Sequence, residues 1–225
     1  MKCSYCQQEI IRNLTFKEIL FPLLIKSERC SLCQKKFKKI TDPVCPTCFK
    51  PGWTVRCDEC QQWKKQYPYY DFCHQALFNY NEAFKEWIYQ YKFLGDFRLK
   101  TTFTVEIQEY FSHKKDWIIC CIPLSEQRFL QRGFNQVEAF LQTANIKTSP
   151  LLERSIDTLP QSNKNRQERL ASPQVFAATD QTIKIRNKKV LIVDDVYTTG
   201  RTLFHAAEIL QKYQPEKIQT FSLAR

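Results

Sequence analysis

Residues 190 to 203, Val-Leu-Ile-Val-Asp-Asp-Val-Tyr-Thr-Thr-Gly-Arg-Thr-Leu, constrain this chain more than any other stretch. Val190 to Val193 is an unbroken aliphatic run of the kind buried on both faces of a parallel sheet. Asp194 and Asp195 follow at its carboxyl end, where open α/β sheets bind their ligands. Thr198, Thr199, Gly200, Arg201 and Thr202 then lead into a helix, and a turn of that composition offers backbone N–H groups and hydroxyls to an anion. The spacing is neither Gly-x-x-x-x-Gly-Lys-Ser/Thr nor Gly-x-Gly-x-x-Gly, and the chain has only four glycines with which to build a phosphate loop. An ordinary strand end with an acid pair capping a helix would need no Thr-Thr-Gly-x-Thr turn beside it.

This stretch resembles the signature of type I phosphoribosyltransferases, which bind phosphoribosyl pyrophosphate (PRPP). The resemblance implies that Asp194 and Asp195 hold the ribose hydroxyls and help place Mg²⁺. It also implies that Thr198, Thr199, Gly200, Arg201 and Thr202 wrap the 5-phosphate.

The N-terminal third carries a second signal. Eight of the eleven cysteines form four C-x-x-C pairs, Cys3/Cys6, Cys30/Cys33, Cys45/Cys48 and Cys57/Cys60. Two thiolates at this spacing face one tetrahedral ion, and two such pairs complete a closed structural zinc site, so eight thiols imply two zinc ions. The short gap between Cys48 and Cys57 favours a ribbon made of 45/48 with 57/60, leaving 3/6 with 30/33; an interleaved pairing stays open on spacing alone. A disulfide framework is disfavoured, because no apolar leader follows Met1 and no run approaches the length of a membrane span. A reduced, cytoplasmic protein is the expectation. Cys73, Cys120 and Cys121 fall outside the pattern, and the last two lie in an apolar run that reads as core.

At 225 residues the chain accommodates one α/β domain and a small metal module. The expected division is 1–68 for the zinc module and 69–225 for the α/β domain. The formal charge is +11, of which residues 1–70 hold 13 Lys/Arg against 6 Asp/Glu. Two four-thiolate zinc sites, each a net charge of about −2, lower the total to about +7. The densest basic cluster is Lys35-Lys36-Phe37-Lys38-Lys39, with Trp53 and Trp63 as aromatic neighbours that could stack on bases. The cluster reads either as a nucleic-acid surface or as a solvated face, and zinc ribbons also dock proteins.

Beyond a linker near Tyr67-Pro68, the pattern alternates. Strands are expected at 76–80, 117–122, 190–193 and 217–223, and helices from Asn81-Glu82, over 101–114, 135–143 and 201–212. That order predicts a parallel sheet with helices on both faces. After the 117–122 strand, Arg128 and Arg132 precede the turn Gly133-Phe134-Asn135-Gln136, and two guanidinium groups there suit the oxygens of pyrophosphate. The stretch Gln161 to Pro173, with Lys164, Arg166 and Arg169, reads either as a loop that closes over a ligand or as a basic connection without fixed structure.

Together the cysteine module, Tyr91-Lys92-Phe93-x-Gly95-Asp96, Pro123-Leu124, Arg132-Gly133-Phe134-Asn135-Gln136, Gln161 with Arg166 to Leu170, and the terminal signature resemble the competence protein F (ComF) family and its ComFC-like branch. GntX proteins of carbon use share the architecture. The resemblance implies a zinc-binding module fused to a phosphoribosyltransferase-like domain. It implies a role in uptake and processing of single-stranded DNA during natural transformation, with a competence helicase, an ATPase of the same operon, as partner. Zinc and Mg²⁺ with PRPP are the implied cofactors, and Asp194, Asp195, Arg128 and Arg132 the implied catalytic set. The alternatives are a metabolic phosphoribosyltransferase with an unknown acceptor and a non-catalytic scaffold.

Overall fold

The computed structural model describes residues 2–11, 13, 16–21, 29–68, 71–154 and 173–225. The N-terminal part carries short helices α1 (Phe16–Leu20), α2 (Ser31–Lys36) and α3 (Asp58–Gln66). It is followed by β1 (His74–Phe78), α4 (Glu82–Lys92), α5 (Thr104–Ser112), β2 (Trp117–Cys121), α6 (Glu126–Arg132) and α7 (Gln136–Thr143). A ribbon of β3 (Leu152–Arg154) and β4 (Phe176–Ala178) comes next, then β5 (Lys189–Val196), α8 (Arg201–Gln211) and β6 (Lys217–Ala224).

Four strands form a wholly parallel sheet in the order β1-β6-β5-β2, and β3 and β4 pair antiparallel beside it. β5 is internal to the sheet, with Ile192 opposite both Cys120 and Thr220, so its aliphatic run is buried from both sides. Strand alternation sends Val190 and Ile192 to one face, against Leu203, Phe204 and Leu210 of α8 and the β3/β4 ribbon. Leu191 and Val193 go to the other face, against α4, α5 and α7. Cys120 is fully buried in the first layer and Cys121 packs on the second, so both thiols serve as core.

The helices start where side chains satisfy their first N–H groups. Asn81 accepts from Phe84 N at 3.0 Å, and Asn135 accepts from Val137 N at 2.9 Å. Each cap contributes about 1 kcal/mol. Asn135 also donates from Nδ2 to the Ile122 carbonyl at 3.0 Å, which ties α7 to the end of β2.

Three elements differ from the periodicity reading. The first strand begins two residues earlier, at His74. The helix expected over 101–114 is a 3₁₀ turn, Phe97–Thr101, capped by Asp96, followed by α5. The segment with Arg128 and Arg132, given no element by periodicity and placed before a turn, is the helix α6, capped by Ser125 and ended by Gly133 at φ +80°. A left-handed residue is the common stop for a helix, and glycine adopts it without strain.

Candidate functional site

The two acids of β5 point to opposite faces because strand side chains alternate. Asp195, buried, lies on the α4/α7 face; Asp194, half-buried, lies on the side of the β3/β4 ribbon. Lys92 Nζ, from the end of α4, stands 2.5 Å from Asp195 Oδ2, and Gln136 Nε2 donates to the same oxygen at 2.7 Å. The Tyr91 hydroxyl donates to the Gln136 carbonyl at 2.9 Å, and the Arg132 guanidinium donates to Gln136 Oε1 and, at 3.2 Å, to the Lys92 carbonyl. One polar network therefore joins α4, α6, α7 and the end of β5. Neither Lys92 nor Gln136 stands out by spacing. Both lie inside the Tyr-Lys-Phe-x-Gly-Asp and Arg-Gly-Phe-Asn-Gln runs, and that is the signal that could have found them.

Asp194 has no such lysine. Desolvation, and then the charge of Asp195 beside it, push its carboxyl up to about 7, against the opposing pull of Lys92 and Arg154. Its Oδ1 accepts the Asp195 N–H at 2.9 Å. A carboxylate whose charged form is disfavoured by desolvation is an oxygen ligand that a hard divalent cation would draw into that form, so Asp194 fits Mg²⁺, while Asp195 on the opposite face is paired with Lys92.

The turn after β5 is packed from below. Gly200 stands at φ +79°, and a Cβ there would lie 2.4 Å from the Tyr197 hydroxyl, so only glycine fits. It is the N-cap of α8 and brings no side chain of its own to the helix start, where the Arg201 N–H donates to Thr199 Oγ1 at 3.4 Å. The positive end of an eleven-residue helix thus faces the acid pair's side of the turn. Thr198 is exposed, Thr199 buried and Thr202 half-buried. Arg201 directs its guanidinium to the Tyr67 hydroxyl at 3.1 Å and over the Trp63 ring at 5.7 Å. Arg128 and Arg132, four residues apart, share one face of α6. Both are half-buried, and Arg132 is the one in the Asp195 network. The stretch from Gln161, with Lys164, Arg166 to Leu170 and Arg169, lies outside the described residues.

The eight paired cysteines gather as two fours. Cys3, Cys6, Cys30 and Cys33 form one and Cys45, Cys48, Cys57 and Cys60 the other, each with all Sγ atoms within 4.8 Å of one another. Tetrahedral zinc with Zn–S bonds of about 2.3 Å requires S···S edges of about 3.8 Å. Cys6 and Cys30 stand 3.9 Å apart, and Cys48 and Cys57 3.5 Å. The clusters therefore fit one zinc ion each, and the sequential pairing replaces the interleaved one.

Both follow the same local plan. The Cys3 and Cys45 N–H groups donate to the Gln8 and Lys50 carbonyls, each at 2.8 Å, and Gln7 and Phe49 sit at φ +62° and +63°. Cys30 and Cys57 cap α2 and α3, and their N–H groups donate to Cys3 Sγ and Cys45 Sγ at 3.3 Å. Gln34 and Gln61 donate to the Arg29 and Arg56 carbonyls at 3.1 Å. The repeated Arg-Cys-x-x-Cys-Gln at 29–34 and 56–61 is the sequence trace of this duplication.

Trp63 is not a stacking platform for bases. It is buried, stacked on Phe204 at 4.3 Å, and donates from Nε1 to the Thr199 carbonyl at 3.0 Å. In the basic cluster Lys35, Lys36, Lys38 and Lys39 are exposed, while Phe37 is buried against Phe78, Phe84 and Phe103.

A parallel sheet that ends in an acid pair above a Thr/Gly turn defines a phosphoribosyltransferase-type domain, and the family model for the phosphoribosyl transferase domain matches residues 148–225. The whole chain is 37% identical over 226 residues to Competence protein ComFC of Streptococcus pneumoniae, covering 100% of both chains. It is 30% identical to Competence protein ComFC of Bacillus subtilis, over 99% of this chain and 94% of that one. Competence protein F of Haemophilus influenzae is 27% identical, over 90% and 92%. The chain belongs to the ComFC family of competence proteins. Among the described residues, no helix is long and apolar enough to cross a membrane.

Proposed function

We propose that this chain is a cytoplasmic DNA-processing factor of natural transformation that binds PRPP, or a related phosphate, at the end of β5 and single-stranded DNA or a helicase partner through its zinc-binding part. In this reading residues 1–68 form the zinc module and 69–225 the phosphoribosyltransferase-like domain. One observation carries the ligand assignment: a glycine-only N-cap just after an acid pair, with Asp195 held by Lys92 and Gln136.

The residues divide the work by their placement. The N–H groups of 200 to 202 and the Thr198 and Thr202 hydroxyls receive the 5-phosphate, with the helix dipole behind them. Asp194 and Asp195 accept from the ribose hydroxyls, Asp195 held in place by Lys92 and Gln136. Arg128 and Arg132 face the pyrophosphate. Mg²⁺, when bound with PRPP, neutralises pyrophosphate charge. The exposed Lys35, Lys36, Lys38 and Lys39 supply positive charge for a DNA backbone. Binding through them weakens steeply with salt, since each neutralised phosphate releases counterions.

The alternative is an active phosphoribosyltransferase with an unknown acceptor, and the intact acid pair and turn favour keeping it. Calorimetric titration of PRPP and Mg²⁺ into zinc-loaded protein, beside Asp194→Ala/Asp195→Ala, tests both. Binding lost in the double variant supports the site, and pyrophosphate release with any nucleobase selects the enzyme reading. Absence of binding to the zinc-loaded chain would overturn the PRPP assignment.

A further inference from the structure

The phosphate turn does not stand alone; its inner side rests on the Cys45–Cys60 cluster through two struts. The first is Trp63, three residues after Cys60 and therefore on the same side of α3. Indole N–H is a donor only, and the Thr199 carbonyl is its acceptor, at 3.0 Å in a buried position. The Trp63 ring also stacks on Phe204, whose N–H closes the first turn of α8 on the Gly200 carbonyl at 2.9 Å. The second strut is Arg225. Its Nη2 donates to Cys48 Sγ at 2.9 Å and lies 3.6 Å from Glu59, while its guanidinium covers the Tyr197 ring at 4.3 Å. Tyr197 is the ring wedged beneath Gly200.

We propose that Trp63 and Arg225 are positioning residues that transmit the order of the Cys45–Cys60 cluster to the phosphate turn, although no cysteine touches the ligand. This rests on reading 198–202 as the phosphate site. The physical reason is preorganisation: N–H groups converge on an anion only if their peptide planes are already fixed, and any motion left in the turn must be lost on binding. The Trp63 bond fixes the 199–200 peptide, and the Arg225–Tyr197 stack closes the space below it. The Cys3–Cys33 cluster, on the opposite side of the sheet, has no such link to the turn among the contacts of the described residues.

Trp63→Phe tests this, because it keeps a six-membered ring against Phe204 and removes the N–H with the rest of the five-membered ring. Backbone amide exchange is measured in the zinc-loaded variant and wild type, together with binding of ribose 5-phosphate and, separately, of pyrophosphate. Exchange at 197–202 is expected to rise roughly fivefold, the effect of one buried hydrogen bond, with no change at 190–193. Ribose 5-phosphate binding weakens by a similar factor and pyrophosphate binding does not, a split that general loss of stability would not produce. Arg225→Met, which removes both the bond to Cys48 and the guanidinium over Tyr197, is the second variant should Trp63→Phe fail to fold, and the same pattern is expected. Unchanged exchange at 197–202 overturns the proposal. If neither protein binds ribose 5-phosphate, the phosphate reading fails and exchange alone decides: acceleration confined to the turn supports positioning, uniform acceleration overturns it.

Discussion

The two cysteine clusters share their hydrogen bonds, their turns and their helix caps, and differ in where the rest of the chain puts them. In the Cys45–Cys60 cluster all four thiols are buried, and its surroundings are the layer that carries Trp63, Phe204 and Tyr197. In the Cys3–Cys33 cluster Cys6 is exposed and Cys30 half-buried. It is fastened to the other layer through Arg29, whose guanidinium pairs with Glu106, donates to the Thr102 carbonyl and lies 4.9 Å over Phe103. One ligand set, used twice, thus serves once as part of the core and once as a clasp at the surface. Burial decides which, since the four-thiol ligand set is the same in both.

The sharpest division should appear on removing one thiol from each. Cys60→Ser is expected to cost about 4 kcal/mol or more, because it removes both a metal site and buried core. Cys6→Ser, at the exposed corner, should cost about 1 kcal/mol. Denaturant midpoints with zinc content per chain measure both, and equal losses would break the comparison. Arg29→Ala ranks next, at about 3 kcal/mol, since it leaves Glu106 desolvated without its partner. Glu106→Gln with Arg29→Met, which removes both charges, should recover most of that loss in the same assay.

A chelator with a colorimetric zinc readout should draw one equivalent from the native protein about a hundredfold faster than the second, a difference of about 2.7 kcal/mol in opening. Cys6→Ala should abolish the fast phase. A single phase for both ions would show that burial does not govern release. The smallest effect is acid sensitivity on the deep side. His74 is buried between Thr220 and Ser222 beside Tyr197, and burial first, then Arg225, hold its pKa well below the ordinary value. Burial, with Arg201 second, lowers His205 to about 4. A depressed histidine binds protons in the unfolded chain first, so its contribution is present above about pH 6.5 and lost as pH falls below it. His74→Gln should flatten the stability curve below about pH 6.5, with Cys3–Cys33 zinc retention unchanged.

Much of this molecule is legible in the linear chain because the signals are local. The aliphatic run of β5, the Asn81 and Asn135 caps, the C-x-x-C spacing and the Thr-Thr-Gly-x-Thr turn each act within a few residues, so spacing and residue type suffice. Helix α6 was missed because seven residues give too little periodicity, and its markers, Ser125 and Gly133, read equally as a turn. Trp63 was misread because an aromatic beside basic residues has the same composition whether it faces a base or a core.

Residue type and spacing alone dictate a parallel sheet ending in an acid pair beside a Thr/Gly turn, and eight paired thiols with the spacing of metal ligands. The fold settles which thiols meet, that Lys92 and Gln136 close on Asp195, and that Trp63 reaches Thr199 and Arg225 reaches Cys48. The reason is separation along the chain. Lys92 lies about a hundred residues before Asp195, and Trp63 and Thr199 are 136 apart, so no local preference encodes either meeting. They come together because the apolar faces on either side of β5 can be buried only when α4, α7 and the Cys45–Cys60 cluster close over them.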